Sequence, residues 1–146
     1  MSNYQFFASD RKLDEYDNGI IVFDGKKLVN PNRSDRCITG FDEQYAMRII
    51  HEDDMAEASR YTNKKYCAYI EWYYCTFNAE AIIEYIKTHL QNSRQIELWN
   101  VWMGEKSVPQ IKKCRLGDLQ ITTIKEIWGK DHYEKPECLL VYVSDW

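Results

Sequence analysis

Glycine and proline are scarce in this chain of 146 residues, which has six of the former and three of the latter. A chain so poor in both is neither a proline-rich linker nor a low-complexity segment. The six glycines are scattered singly, so neither the G-x-G-x-x-G pattern nor the P-loop of nucleotide-binding proteins is present. The G-x-S-x-G nucleophile elbow is missing as well. The common nucleotide-dependent and serine-hydrolase chemistries are therefore not indicated.

Long apolar runs are also missing. The longest wholly apolar stretch covers residues 138–143, whereas a membrane-spanning helix needs about 20 residues. The first 25 residues carry charges throughout, without the apolar core of a secretory signal. We therefore expect a cytoplasmic protein that has no contact with a membrane.

Metal-binding patterns are absent too. The densest group of metal-ligand types is His51-Glu52-Asp53-Asp54, but H-E-x-x-H needs a second histidine where Met55 stands. The cysteine count is odd, and no short spacing joins its members, which are Cys37, Cys67, Cys75, Cys114 and Cys138. In a reducing compartment such cysteines are free thiols that serve as small hydrophobes. We predict neither a metal ion nor a cofactor.

The formal net charge is −4, so basic residues are in deficit. Proteins that grip phosphate backbones usually show a basic face, which makes a nucleic-acid partner an unfavoured interpretation. The one dense basic run consists of Lys112, Lys113 and Arg115. We interpret it as an exposed strand edge that charge protects from unwanted pairing.

The first half of the chain contains three strand candidates. They are Tyr4–Ala8, residues 19–23 with an Asp24-Gly25 turn behind them, and residues 43–51, where alternation favours a strand over a short helix. Residues 26–65 otherwise lack a clear periodicity, and their conformation is not predicted apart from that third candidate.

The clearest pattern covers residues 66–104 and predicts a strand, a helix and a second strand. Residues 66–75 are mostly β-branched or aromatic, Asn78 is a good N-cap for the helix, and a strand over 96–103 follows. Alternation in the first strand places Ile70 and Trp72 on one face and Tyr69, Glu71 and Tyr73 on the other. The predicted buried stripe of the helix is Ala79, Ile82, Ile83, Ile86 and Leu90.

The remaining elements complete a β-α-β-β-α-β order. A hairpin loop over 104–109 leads to a strand over 111–116, and a helix over 122–128 follows, with Thr123 and Glu126 as a capping box and Gly129 at its end. A strand over 138–143 closes the chain. This order predicts one α+β domain over 1–146, with a mainly antiparallel sheet that is ferredoxin-like in residues 66–143. The N-terminal strands would extend this sheet or cover its open side.

Glu71 and Glu97 are the one pair of carboxylates that suggests acid–base catalysis, and register separates them. A β-α-β crossover makes their strands parallel, so Glu97 would lie level with residue 67. The offset of four residues is about 13 Å along the strands, which excludes a direct pair.

The candidate binding residues are Tyr69, Glu71, Tyr73, Trp99 and Tyr142. Two interpretations of this aromatic face compete. The N-terminal residues could pack over it as a second core layer, or part of it could remain exposed as a protein-binding surface, because tyrosine and tryptophan are enriched at interface hot spots. The exposure of Tyr69, Tyr73 and Tyr142 separates the two.

Two short blocks carry a resemblance. The segment Tyr4-Gln5-Phe6-Phe7-Ala8-Ser9 and the block from Ile96 to Glu105 resemble blocks of small bacterial proteins that have no assigned activity, which implies no catalytic residues. In charge and tryptophan content the chain also resembles toxin-neutralising immunity proteins. We therefore expect a non-catalytic protein-binding module, of the immunity-like kind that neutralises a partner. The alternative is a small enzyme or ligand-binding protein with an aromatic-lined pocket.

Overall fold

The computed structural model describes residues 3–17, 46–51, 56–102, 108–128 and 136–143. Several sequence-based predictions lie outside these residues. They include the strand over 19–23, the Asp24-Gly25 turn, the free thiol of Cys37, the glycine at 129 and the three acidic residues that follow His51.

The described part of the chain forms seven strands, two α-helices and two short 3-10 turns. The turns are Ala58–Arg60 and Leu116–Asp118. The other elements are β1 (Asn3–Ser9), β2 (Tyr16–Asp17), β3 (Met47–His51), β4 (Tyr66–Trp72), α1 (Thr76–His89), β5 (Gln95–Trp102), β6 (Gln110–Arg115), α2 (Ile121–Trp128) and β7 (Glu137–Tyr142). No helix within these described residues is long and apolar enough to cross a membrane.

All seven strands join one mixed sheet, in the order β2-β3-β4-β1-β5-β7-β6. Every neighbouring pair is antiparallel except β6 and β7, which are parallel. The predicted α+β class and the mainly antiparallel sheet are therefore confirmed.

The ferredoxin-like arrangement is not confirmed. The predicted hairpin between β5 and β6 is wrong, because β7 lies between these two strands and pairs with both. The α2 crossover therefore joins two adjacent parallel strands. By contrast, the two strands that α1 connects, β4 and β5, are not adjacent. β1 lies between them and is antiparallel to both. The first strand of the chain thus occupies the middle of the sheet and not its edge.

The register of β1 confirms the predicted separation of the two glutamates. Ala8 pairs with Cys67 on one side and with Glu97 on the other, so these two residues lie level. Glu71 lies four residues further along β4. An intervening strand adds about 10 Å of lateral distance, so no acid–base pair forms.

Both helices cover the same face of the sheet, which we call the helix face. Its core contains the whole predicted stripe of α1 together with inward residues of the strands. Alternation along β4 and β5 is as predicted, because Ala68, Ile70, Ile96 and Leu98 are buried there, as are Leu139 and Val141 of β7.

The start of α1 differs from the prediction by one turn. Cys75 is the N-cap, with extended backbone and a sulfur that accepts a hydrogen bond from the backbone N–H of Asn78 at 3.4 Å. Asn78 lies inside the first turn and donates through Nδ2 to the carbonyl oxygen of Tyr73 at 3.0 Å. Its preference for local backbone hydrogen bonds is satisfied there and not at the cap.

The start of α2 also differs. Thr123 is not an N-cap; it lies in the first turn, where its hydroxyl accepts from the backbone N–H of Gln120 at 3.3 Å. Thr123 therefore accepts a hydrogen bond from the backbone N–H of the residue before the helix, as the glutamate of a capping box does.

Candidate functional site

The opposite face of the sheet, which we call the second face, is covered over its centre by residues 56–62. Trp99 is 2% exposed and packs against Tyr61, with 5.8 Å between ring centroids. The hydroxyl of Tyr61 donates to the carbonyl oxygen of Trp102 at 3.3 Å. A second, smaller core forms here from Tyr4, Phe6, Ala8, Ala58, Cys67, Trp99, Val101 and Cys138. Over its centre, the aromatic face is therefore a filled core layer.

The carboxylate of Glu97 is held inside this layer. Its Oε1 accepts from the hydroxyl of Thr62 at 2.5 Å and from Nε1 of Trp99 at 2.9 Å. A charged acceptor with two donors in a half-buried setting is a strong anchor. Glu97 thus fastens residues 56–62 to β5.

Tyr69 packs against the second core, and Glu71 follows it on the same face of β4. Tyr69 is half-buried and stacks on Tyr4 at 5.5 Å. Glu71 is exposed and accepts from Arg48 at 2.7 Å. This hydrogen bond is the main cause that raises the pKa of the Arg48 guanidinium. An ion pair so exposed contributes little to stability.

Tyr142 lies on the other half of the second face. It is half-buried, and its neighbours in register are Gln95 on β5 and Arg115 on β6. The residues before it in the same two strands are Leu140, which is half-buried, and Lys113, which is exposed. This half is therefore apolar near β7 and basic near the edge.

Tyr73 is the most exposed of the predicted binding residues. It follows the end of β4 and is 60% exposed, and Phe77 in the first turn of α1 is 53% exposed. The hydrogen bond from Asn78 to the carbonyl of Tyr73 fixes the backbone of this connection. We call Tyr73 and Phe77 the aromatic corner. The five predicted binding residues therefore do not form one site. Trp99 and Tyr69 belong to the second core or pack against it, and Glu71 belongs to an exposed ion pair. Tyr142 lies on the basic half of the second face, and Tyr73 lies at the aromatic corner.

Sequence reasoning missed a contact between Ser9 and His89. The Oγ of Ser9 lies 2.7 Å from Nε2 of His89 and also accepts from the backbone N–H of Arg11 at 3.1 Å. Serine beside histidine is an element of nucleophilic catalysis. Here Ser9 is fully buried under α1, so its hydroxyl cannot meet a substrate. The pair joins strand to helix.

Sequence reasoning also missed a polar row on the helix face. Asn100 pairs in register with Gln5 on one side and with Glu137 on the other, and Glu137 pairs with Gln110. Gln5 Oε1 accepts a hydrogen bond from the indole of Trp72. Asn100 is 4% exposed, and its Nδ2 has no hydrogen-bond partner within the described segments. The sequence signal for this row is a polar residue in each of β1, β5, β7 and β6, at a position where alternation places the side chain on the helix face.

The surroundings of the four described cysteines do not favour a reactive thiolate. Cys67, Cys114 and Cys138 are buried free thiols, and Cys75 is half-buried. Burial is the main cause that raises the pKa of both Cys114 and Cys138, which disfavours the nucleophilic thiolate. Within the segments that the structure describes, no three histidine, cysteine or acidic side chains are grouped closely enough to hold a metal ion.

No protein-family profile matches the chain, and no curated protein or solved structure matches it either.

Proposed function

We propose that this protein is a non-catalytic protein-binding module that contacts its partner through the aromatic corner. The observation that supports this proposal is the exposure of Tyr73 and Phe77, four residues apart on a rigid connection. Neither residue belongs to the two cores. Tyrosine and other aromatic residues are enriched at the hot spots of protein interfaces, where they supply large contact area.

Charges beside the corner indicate the kind of partner. Glu80 and Glu84 follow Phe77 at spacings of three and seven residues, so all three side chains share one face of α1. All three are exposed. Glu84 also pairs with Lys87 at 3.8 Å, at exposed positions where such a pair is weak. An aromatic anchor beside these two acidic groups complements a basic surface, and the net charge of −4 adds attraction at longer range. A basic, nuclease-like partner in the cytoplasm, neutralised by this protein, fits that description.

The filled centre of the second face favours this proposal over the alternative. A small enzyme or ligand-binding protein with an aromatic pocket would need Tyr69 and Trp99 to line an open site with free polar groups. Trp99 instead packs under Tyr61, and the Oε1 atom of Glu97 already accepts two hydrogen bonds.

Affinity capture tests the proposal. The wild-type protein should retain a basic protein from native lysate, and the double variant Tyr73→Ala with Phe77→Ala should lose at least about tenfold in affinity for it, which corresponds to about 1.4 kcal/mol. Tyr66→Ala is the matched control, because Tyr66 is an exposed aromatic residue at the other end of β4. The proposal fails if no protein partner is retained, or if the control loses binding as strongly as the double variant.

A further inference from the structure

We infer that β6 is a docking site for an extended acidic segment of a partner protein, which would add a strand to the sheet beyond β6. This inference does not depend on the aromatic corner. It starts from the basic run Lys112, Lys113 and Arg115, which the proposed function leaves unused, and it rests on Lys113 and Arg115. These three residues lie in β6, the last strand in the sheet order.

The backbone of β6 has one side turned away from the sheet. The N–H of Gln110 donates to the carbonyl oxygen of Pro136 at 2.8 Å, which places the hydrogen-bonding groups of Gln110 on the side of β7. Because these groups alternate along a strand, those of Ile111 and Lys113 point to the other side. β6 is therefore an edge among the described strands, and its backbone offers a template for strand addition.

The side chains at this edge combine apolar and positive character. Ile111 is 55% exposed, and Val108 just before the strand is 82% exposed. Lys113 and Arg115 follow Ile111 on the second face, next to Leu140 and Tyr142 in register. Lys113 forms no ion pair with any residue that the structure describes. Lys112 points to the helix face instead, where it pairs with Glu126.

The charges at this edge favour an acidic protein segment over a second copy of the chain or a nucleic acid. A second copy of β6 would bring lysine and arginine opposite one another, and like charges directly across a pair of strands are destabilising. Along β6, a nucleic acid would meet two basic side chains on the second face, Lys113 and Arg115, and the chain has a net charge of −4. An extended segment with acidic residues at alternate positions would place carboxylates beside Lys113 and Arg115. Its backbone would pair with β6 at the same time.

Fluorescence anisotropy with a short labelled peptide of alternating valine and glutamate tests this inference. The wild-type protein should bind the peptide, more weakly as salt is raised. Lys113→Glu should weaken binding at least about tenfold through like-charge repulsion. Ile111→Pro should weaken it as much, because proline removes a backbone donor on the open side. Proline is tolerated on an edge strand when its nitrogen faces solvent, so this variant should melt close to the wild type.

Two control variants locate peptide binding at the β6 edge. Lys112→Gln should bind the peptide as the wild type does, because Lys112 lies on the other face. The double variant Tyr73→Ala with Phe77→Ala should also bind it. Peptide binding at β6 is therefore tested independently of partner binding at the aromatic corner. Failure of the wild-type protein to bind the peptide overturns the inference. So does a dimer in light scattering that Ile111→Pro abolishes, or stronger, salt-sensitive binding of an oligonucleotide at the same edge.

Discussion

The hydroxyl of Ser9 lies 2.7 Å from Nε2 of His89, and this contact ties the end of β1 to the end of α1. Because the backbone N–H of Arg11 already donates to the Ser9 oxygen, the hydroxyl hydrogen is available for a neutral imidazole. Next to it, the hydroxyl of Tyr85 donates to the carbonyl oxygen of Asp14 at 2.6 Å. Two side chains of α1 therefore hold the end of β1 and the segment that follows it.

Protonation of His89 should weaken the fold. Burial lowers the pKa of His89 from its ordinary value, and the nearby charge of Asp14 opposes this effect only in part. The unfolded chain then binds the proton more readily, so stability is complete above about pH 6.5 and falls as the pH drops toward the folded-state value. The slope from this group reaches at most about 1.4 kcal/mol per pH unit. Urea unfolding between about pH 7.5 and pH 5 measures it.

The variant His89→Gln should flatten that pH profile, because glutamine does not titrate. His51→Gln is the matched control. His51 is an exposed histidine whose ring contacts the carbonyl oxygen of Leu13, so its replacement leaves the contribution of His89 in place. An unchanged profile in His89→Gln contradicts the assignment.

The N-cap of α1 can be strengthened. Oxygen is a better acceptor than sulfur for the N–H of Asn78, so Cys75→Ser should be more stable than Cys75→Ala by about 1 kcal/mol in the free energy of unfolding. Chemical denaturation compares the two variants, both of which remove the thiol. Equal stability would show that the contact between Cys75 and Asn78 does not cap the helix.

The hydrogen bond between Thr62 and Glu97 should stabilise the cover of the second face. Thr62→Val keeps the shape of the side chain but removes one donor from the Glu97 carboxylate, and it should cost about 1.5–3 kcal/mol. The control is Ser59→Ala, in the same segment, where an exposed hydroxyl donates to the carbonyl oxygen of Ala56. It should change stability by less than about 0.5 kcal/mol. Unfolding followed by tryptophan fluorescence reports both, and similar losses in the two variants would refute the role of Glu97.

The buried amide of Asn100 should be dispensable for folding. Since its Nδ2 lacks a hydrogen-bond partner among the described residues, Asn100→Leu should raise the free energy of unfolding by about 1 kcal/mol. Asn78→Leu provides the contrast, because the Asn78 amide donates to Tyr73, and its loss should cost about 1 kcal/mol. Thermal melts measure both. A destabilised Asn100→Leu would contradict the assignment of Asn100 as an unsatisfied buried amide.

Elements with a strong local pattern were predictable from the sequence. The two faces of β4 and β5 and the buried stripe of α1 follow from periods of two or 3.6 residues, and the basic edge at β6 follows from a run of like charges. The cap of α1 was misassigned because Asn78 and Cys75 both precede apolar helical positions, and the choice depends on the backbone turn after Tyr73. The interpretation of the aromatic face stayed open for a related reason. What covers a face is not encoded in the strand that carries it.

Alternation and helical spacing, which are properties of neighbouring residues, determined by themselves that this chain is α+β and which side chains face the helices. Tertiary structure alone decided that β1 enters the middle of the sheet and that β7 separates β5 from β6, because strand order depends on pairing between distant segments. The tertiary structure also decided which aromatic residues stay exposed for a partner. Thr62 reaches Glu97 and removes Trp99 from solvent, whereas no described segment covers Tyr73 and Phe77 to the same degree. The same kind of aromatic residue thus fills a core in one place and forms a surface in another.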